Sequence, residues 1–445
     1  MATVEGDKPQ IAYHTFGCKA NQYDTERIRQ ELEAQGSETV GKPADADLIV
    51  VNTCTVTSKA DADARRFIRR VRRENPRIEV IAVGCSAALR AADYEQMPQV
   101  DGVVAGHDPL QVAEALREIR PPLVQLKAMG SIDPGRRQPL GGDILVNRVG
   151  ATRGWLKVQD GCDRKCSFCA TRLARGASRS RSPAEIMREA LLLSKSHPEL
   201  VITGIHIGHY GRDLASQTSL SRLVAMLLER VPGVRFRLGS IEATEVDALL
   251  LSLLAESDGR LAPHLHMPLQ SGADPVLKRM RRWHTRETYR VRALEIASRL
   301  PVLGLGADII TGFPGETESD HAETVSLVEE LPYTYLHVFP FSEREGTEAA
   351  RANRVSPVPQ RVAGERSRQL RELGHEKSQA HRRLRGGSWS RVVLEGDGRT
   401  ALTGDYLRVK TLRARGQGSG GLCEGTLRWL GECLAIDLTD PSGFN

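Results

Sequence analysis

The chain has 445 residues, 40% of them hydrophobic and 27% charged, with 62 Lys+Arg against 56 Asp+Glu for a formal charge of +6. That length divides into two or three units of roughly 100–250 residues, and no apolar run approaches the ~20 residues that cross a bilayer, which argues against a membrane protein. The opening residues MATVEGDKPQ lack the character of a secretory or transit peptide, so the expected compartment is the cytoplasm. Eight cysteines with no export signal point to metal or redox chemistry and away from a disulfide framework.

From residue 11 to about 120, short apolar runs (IAYHTF, DLIVV, IEVIAV) alternate with helical patterns, which predicts a βαβαβ series and hence a parallel sheet. One of the helices, predicted over 57–75, carries Arg65, Arg66, Arg69, Arg70 and Arg73 on one face and Ala64, Phe67, Ile68 and Val71 on the other. Residues 121–150 are rich in Pro, Gly and charge and suit a linker. A second alternating series follows, with strands expected at Leu156–Gln159, Leu200–Ile207, Arg235–Ile241, His264–Leu269, Leu305–Ile310 and Leu336–Phe341. With helices between them these make an open, partial (β/α)6 barrel. Beyond a charged helix ending near Arg385, short β runs broken by glycines predict a small all-β barrel of OB size, with a flexible loop at Gly416–Gly421. The fold class is α/β in three parts: 9–122, 145–378 and 380–442.

In Gly161-Cys162-Asp163-Arg164-Lys165-Cys166-Ser167-Phe168-Cys169 three thiols follow the first barrel strand. That places them on the C-terminal rim, where such folds keep their active sites. Three thiolates can hold three irons of a cubane and leave the fourth open to a ligand. A zinc knuckle is set aside, because the spacing is not a paired CxxC and no fourth Cys or His is near. Cys18, Cys54 and Cys85 each stand just beyond the end of a predicted parallel strand. At such an edge residues about thirty apart in sequence converge, so this trio is a candidate second cluster. Cys423 and Cys433 have no ligand spacing and are expected as small core residues.

The CxxxCxxC with an aromatic before its last Cys resembles the radical S-adenosylmethionine superfamily. The stretches TFGCKANQYDTE, VVNTCTVTSKA, AVGCSA, GCDRKCSFC, SIEATEVD, HLHMPLQSG, DIITGFPGE and HVFPFSEREGT, in that order, resemble its methylthiotransferases along nearly the whole chain. The resemblance implies an N-terminal cluster domain, a radical core and a C-terminal TRAM barrel. It implies two 4Fe-4S clusters, the radical-generating one on Cys162, Cys166 and Cys169 and the auxiliary one on Cys18, Cys54 and Cys85. It further implies S-adenosylmethionine as co-substrate, cleaved to a 5′-deoxyadenosyl radical, and a flavodoxin or ferredoxin as reductant.

GCKANQYD, TGIHIGHYG, RMRRWHT and FPFSEREGT are most similar to the branch that methylthiolates N6-threonylcarbamoyladenosine at position 37, in the tRNA anticodon stem-loop. Branches acting on isopentenyladenosine or on an aspartate of a ribosomal protein are the alternatives, and a non-catalytic iron–sulfur RNA-binding or redox-sensing protein is the rival outside the enzymes. After Cys169 the family's I-I-P-Y-x-R-G is replaced by Ala170-Thr171-Arg172-Leu173-Ala174-Arg175-Gly176, and Lys165 replaces a usual aromatic. The resemblance nominates Phe168, Thr203, Gly204, His206, Ser240, Glu242, Gln270 and Ser271 for the cofactor pocket. Read alone, Glu242 is a solvated or capping strand-end acid, Phe168 a core aromatic and His206 a histidine satisfied by backbone. The arginine face of 57–75, the run Lys278, Arg279, Arg281, Arg282 and the run Arg382, Arg383, Arg385 are either solvated faces or phosphate contacts, and together they favour tRNA over a protein substrate. No partner subunit is implied, and a monomer is the expected state.

Overall fold

The computed structural model describes residues 8–119, 144–148, 150–412 and 421–438; most of the predicted linker 121–150 and of the loop Gly416–Gly421 lies outside them. The chain divides into two compact units. The first holds the described residues up to Leu145 with Gly161–Arg164 and Cys169–Ala177, and the second holds Val146–Asp160, Lys165–Phe168 and the described residues from Ser178 onward.

In the first unit the order is β1 (Gln10–Thr15), α1 (Lys19–Ala34), β2 (Glu38–Thr39), β3 (Leu48–Thr53), α2 (Ser58–Glu74), β4 (Glu79–Gly84), α3 (Cys85–Leu89), α4 (Ala91–Glu95), β5 (Gly102–Val103) and α5 (Pro109–Ile119). The strands form one parallel sheet, β2-β1-β3-β4-β5, richer by the short β2 and β5 than the sequence pattern predicts. Both faces are covered: Ile28 and Leu32 of α1 and Val112 of α5 pack on one, Phe67, Ile68 and Val71 of α2 and Tyr94 of α4 on the other. Strand β3 is buried throughout, as a central parallel strand must be. Helix α2 forms because Ala64, Phe67, Ile68 and Val71 recur at helical spacing and Thr57 caps its first turn, accepting from the Ala60 N–H at 3.1 Å.

The second unit opens with β6 (Arg153–Lys157) and β7 (Gln159–Asp160); between β7 and β8 lies α6 (Thr171–Arg175), which belongs to the first unit. Then follow β8 (Arg179–Ser180), α7 (Pro183–Leu193), β9 (Glu199–Thr203), α8 (Leu220–Arg230), β10 (Arg235–Leu238), α9 (Ala248–Glu256), β11 (His264–His266), α10 (Asp274–Arg279), α11 (Arg286–Arg299), β12 (Gly304–Thr311), α12 (Glu318–Glu330), β13 (Tyr335–Pro340), α13 (Glu348–Val355) and α14 (Gln360–Arg385). Strands β6-β9-β10 and β11-β12-β13 are two parallel three-stranded sheets, joined through the isolated parallel bridges Phe236↔Leu261 and Ser240↔His266. This is the expected open six-stranded barrel. The strands end earlier than the apolar runs, because Ile205–Ile207 and Met267–Leu269 continue the runs as buried loop.

After α14 come β14 (Trp389–Glu395), β15 (Thr400–Thr403), β16 (Arg408–Thr411), β17 (Leu422–Trp429) and β18 (Leu434–Leu438), closing the predicted barrel in the order β14-β15-β16-β18-β17 around Val392, Val409, Leu427 and Ile436. Cys423 packs against this core half-buried, as expected; Cys433 is half-buried in the turn from Leu430, outside the core proper.

The small barrel is seated on the first residues of β9 and β10 by a buried charge cluster. Glu199 on β9 takes Arg235 at 2.6 Å and Arg237 at 2.9 Å from β10, all of them essentially unexposed. The arginines then reach across to main-chain oxygens of the barrel: Arg235 to Arg391 and Leu402 at 3.0 Å, Arg237 to Gly404 at 2.8 Å and Thr403 at 2.9 Å. Burial opposes ionisation of Glu199, but the Arg235 and Arg237 charges outweigh it and hold the carboxyl well below the usual range. Its contribution is therefore present above the unfolded pKa of about 4.3 and is lost as pH falls. Glu199→Ala, which strands two buried guanidinium groups, is expected to cost roughly 3–5 kcal/mol in chemical denaturation at neutral pH, and the deficit should shrink below about pH 4.3.

Candidate functional site

Parallel pairing delivers the N-terminal thiols to one edge. Cys18 caps α1 after β1, Cys54 follows β3 directly and Cys85 opens α3 after β4. Asn21 stands among them: its Oδ1 accepts from the Cys18 thiol at 3.9 Å and from the Cys85 thiol at 3.6 Å, while its Nδ2 donates to the Phe16 and Thr53 carbonyls at 3.0 Å. Gly17, with φ +106°, leaves the space this convergence needs, since a Cβ there would sit 2.7 Å from Cys54 Sγ. Burial pushes the Cys54 thiol up to about 12 and raises that of Cys85 as well. Iron binding must therefore displace protons at this edge. Converging sulfur donors, one of them exposed and two buried, fit an iron–sulfur cluster better than any oxygen-seeking metal.

The segment of the second tri-cysteine motif is tied at several points. Within the first unit the Cys162 N–H donates to the Gly176 carbonyl at 3.0 Å. Within the second, the Ser167 N–H donates to Met280 O at 3.0 Å and its hydroxyl to Arg279 O at 2.8 Å. Arg282 comes from the same turn: its Nη1 lies 3.6 Å from Cys166 Sγ and its Nη2 2.6 Å from Glu242. Burial pushes the Glu242 carboxyl up, and the Arg282 charge offsets part of that rise. His284, 4.0 Å from Glu242, is driven to about 3 by burial and by Arg282, so it is a neutral ring at working pH. The sulfur-facing cation and the neighbouring carboxylate suit a cluster ligand that must stay a thiolate.

Phe168 is half-buried and packs edge-on to Phe313 with centroids 6.4 Å apart, as the core reading of the lone aromatic expects. Thr203 ends β9 buried, and Gly204 lies where a Cβ would come within 2.7 Å of the Gln159 carbonyl. Gln159 Oε1 accepts from the N–H groups of Ile205 and His206 at 3.1 and 2.8 Å, a clamp on this loop that the sequence reading misses. His206 is satisfied by a carboxylate rather than by backbone, with Nε2 2.9 Å from Glu245, which His209 also approaches at 3.3 Å. Ser240 is exposed and bridges to His266. Gln270 holds φ +68°, a conformation that costs a non-glycine residue of order 1 kcal/mol and is often kept at ligand sites. Ser271 is buried with its hydroxyl committed to Thr324 at 3.3 Å and to the Ala273 N–H at 3.2 Å. Asp308 is held by His266 at 3.1 Å and His337 at 3.3 Å. Glu245 and Asp308 were not singled out beforehand, although both lie inside stretches that carry the family resemblance.

The three basic runs are less free than their spacing suggests. On α2, Arg66 pairs with Asp63 and Arg70 comes within 4.0 Å of Glu74, acids that flank the run; Arg65, Arg69 and Arg73 make no ion pair among the described residues. Arg279 and Arg281 pair with Asp320 and Glu348 at 3.3 and 2.6 Å, and Arg282 is turned inward. Arg385 is buried on Asp405 at 2.9 Å, whereas Arg383 stays exposed over the Trp429 ring at 5.9 Å. On β14, Trp389 is 55% exposed with the Arg391 guanidinium 6.0 Å from its ring. Exposed indoles flanked by arginine are stacking platforms for single-stranded nucleic acid.

Residues 10–106 match the uncharacterized protein family UPF0004 and residues 156–328 the radical SAM superfamily. The threonylcarbamoyladenosine tRNA methylthiotransferase MtaB of Bacillus subtilis strain 168 is 39% identical over 82% of this chain and 80% of its own length. The protein of the same name from Aquifex aeolicus is 33% identical over 90% of this chain and 96% of its own. The tRNA-2-methylthio-N(6)-dimethylallyladenosine synthase of Oceanobacillus iheyensis is 30% identical, over 99% and 84%. Among solved structures, the radical S-adenosylmethionine methyltransferase TsrM of Kitasatospora setae has a similar fold, with TM-score 0.56 over 77% of this chain and 74% of that one at 16% identity.

Gly17→Ala places a methyl group against Cys54 in a backbone region that disfavours it. It is expected to remove most of one cluster's iron, about four atoms per chain, in anaerobic reconstitution while leaving the iron held by the second motif in place.

Proposed function

The chain belongs to the radical S-adenosylmethionine methylthiotransferase family, and we propose that it methylthiolates carbon 2 of N6-threonylcarbamoyladenosine at position 37 of tRNA. The higher identity to the MtaB proteins, 39% and 33% against 30% for the dimethylallyladenosine synthase, supports this branch. The observation that carries the chemistry is the pair of tri-cysteine sets, one converging at the edge of the N-terminal sheet and one in the CxxxCxxC loop. Two 4Fe-4S clusters and S-adenosylmethionine, when bound, supply reductive sulfonium cleavage, removal of the carbon-2 hydrogen and the methylthio group.

In this reading Cys162, Cys166 and Cys169 hold the radical-generating cluster and Cys18, Cys54 and Cys85 the sulfur-carrying one. Arg282 faces the Cys166 sulfur and fixes Glu242, which orients a donor of the co-substrate. The strained Gln270 and the clamped loop from Thr203 through Gly204 to His206 border the same pocket, with Ser240 at its exposed lip. Ser271 supports the loop from inside, and Phe168 fixes the motif's position from the core. The division 9–122, 145–378 and 380–442 assigns one cluster to the first part and one to the second, and gives RNA binding to the third. A flavodoxin- or ferredoxin-type reductant in the cytoplasm would serve a monomer. Among the described residues no helix is long and apolar enough to cross a membrane.

Two measurements test this. Reconstituted protein is expected to hold about eight irons per chain and about four after replacement of Cys162, Cys166 and Cys169 by alanine; an unchanged count removes the assignment. In a strain lacking the gene, nucleoside mass spectrometry of tRNA should show loss of the 2-methylthio-threonylcarbamoyl nucleoside, and its persistence counts against the substrate. On the barrel, Trp389→Ala is expected to weaken tRNA binding by about 1–3 kcal/mol, read by titration at fixed salt.

A further inference from the structure

Helix α6 starts two residues after Cys169 and ends in Arg175, whose side chain is 1% exposed. A guanidinium buried to that degree needs compensation, and here it finds an unusual set of partners within the first unit. Its Nη2 lies 2.8 Å from Asp24, 2.6 Å from Asn21 Oδ1 and 3.1 Å from His107 Nε2. Its Nε points at Cys85 Sγ, 3.3 Å away. The Asn21 oxygen it shares is the one that the Cys18 and Cys85 thiols approach, so the guanidinium lies beside the converging trio. Helix α6 packs against α3, the helix that Cys85 opens. The Asp24 carboxylate opposes the guanidinium charge here, and the Nε–H is aimed at sulfur.

Three thiolates outweigh the positive charge of an oxidised cubane core, so a cluster held by Cys18, Cys54 and Cys85 is anionic and gains one more negative charge on reduction. A cation donating a hydrogen bond to a ligand sulfur stabilises the reduced form more than the oxidised one and raises the potential; a carboxylate at the same place does the reverse. We propose that Arg175 is a positioning residue of the N-terminal cluster: it sets that cluster's reduction potential against the opposing charge of Asp24. This rests on the reading that Cys18, Cys54 and Cys85 hold a cluster.

The test uses the full chain with Cys162, Cys166 and Cys169 replaced by alanine, reconstituted anaerobically so that only the N-terminal cluster remains. Iron content and the midpoint potential, followed by electron paramagnetic resonance, are read for this parent and for Arg175→Gln, Arg175→Lys and Asp24→Asn added to it. The expected result is a shift to more negative potential for Arg175→Gln, a shift of opposite sign for Asp24→Asn, and a potential near the parent's for Arg175→Lys. Potentials that do not move, or that move in the same direction for Arg175→Gln and Asp24→Asn, overturn the proposal. If Arg175→Gln fails to load iron, loading of Arg175→Lys together with the Asp24→Asn shift upholds it, and an unshifted Asp24→Asn overturns it. A parent that holds no iron refutes the cluster reading itself and leaves the assignment of Cys162, Cys166 and Cys169 standing.

Discussion

Parallel strand pairing is the constraint on which the convergence of the N-terminal thiols depends. Every strand of a parallel sheet finishes at the same edge, so Cys18, Cys54 and Cys85 meet although roughly thirty residues separate each from the next. The same rule places Thr203 at the end of β9 and Glu242 and Gln270 beyond β10 and β11 of the six-stranded barrel. The N-terminal trio needs no local motif to be assembled. The fold supplies convergence, and the side chains supply sulfur and charge.

Convergence of thiols alone leaves an electrostatic problem, and buried arginine answers it in both units. Arg175 reaches Cys85 and Arg282 reaches Cys166, each with an acid, Asp24 or Glu242, on its other side. The two constellations have the same logic: a sulfur faced by a cation, a guanidinium that cannot lose its proton, and a carboxylate that fixes the guanidinium's direction. Arg235 and Arg237 use the same chemistry for a different purpose, exchanging sulfur for main-chain oxygen.

Much of this was legible in the sequence and some was not, for physical reasons. Alternation of apolar runs and helical patterns located the parallel strands and the terminal barrel, because burial on both faces of a sheet leaves continuous apolar stretches such as LIVV of β3. Spacing alone nominated all six cysteines of the two candidate sets. Charge was read less well. Arg282 and Arg385 looked like members of basic surface runs, yet both are turned inward onto acids distant in sequence, Glu242 and Asp405. A run of like charges carries no information about which member finds a buried partner. Gln159 and Glu245 were missed for a related reason: single polar residues at strand ends are common, and only the loop they hold reveals their part.

The seating of the small barrel has a consequence for substitution. Arg235 and Arg237 take hold of carbonyl oxygens of Arg391, Leu402, Thr403 and Gly404, atoms that every residue type possesses. The attachment is therefore indifferent to the side chains it grips. Substitutions on the barrel's outer surface leave the joint intact, provided Glu199 and its two arginines are kept together.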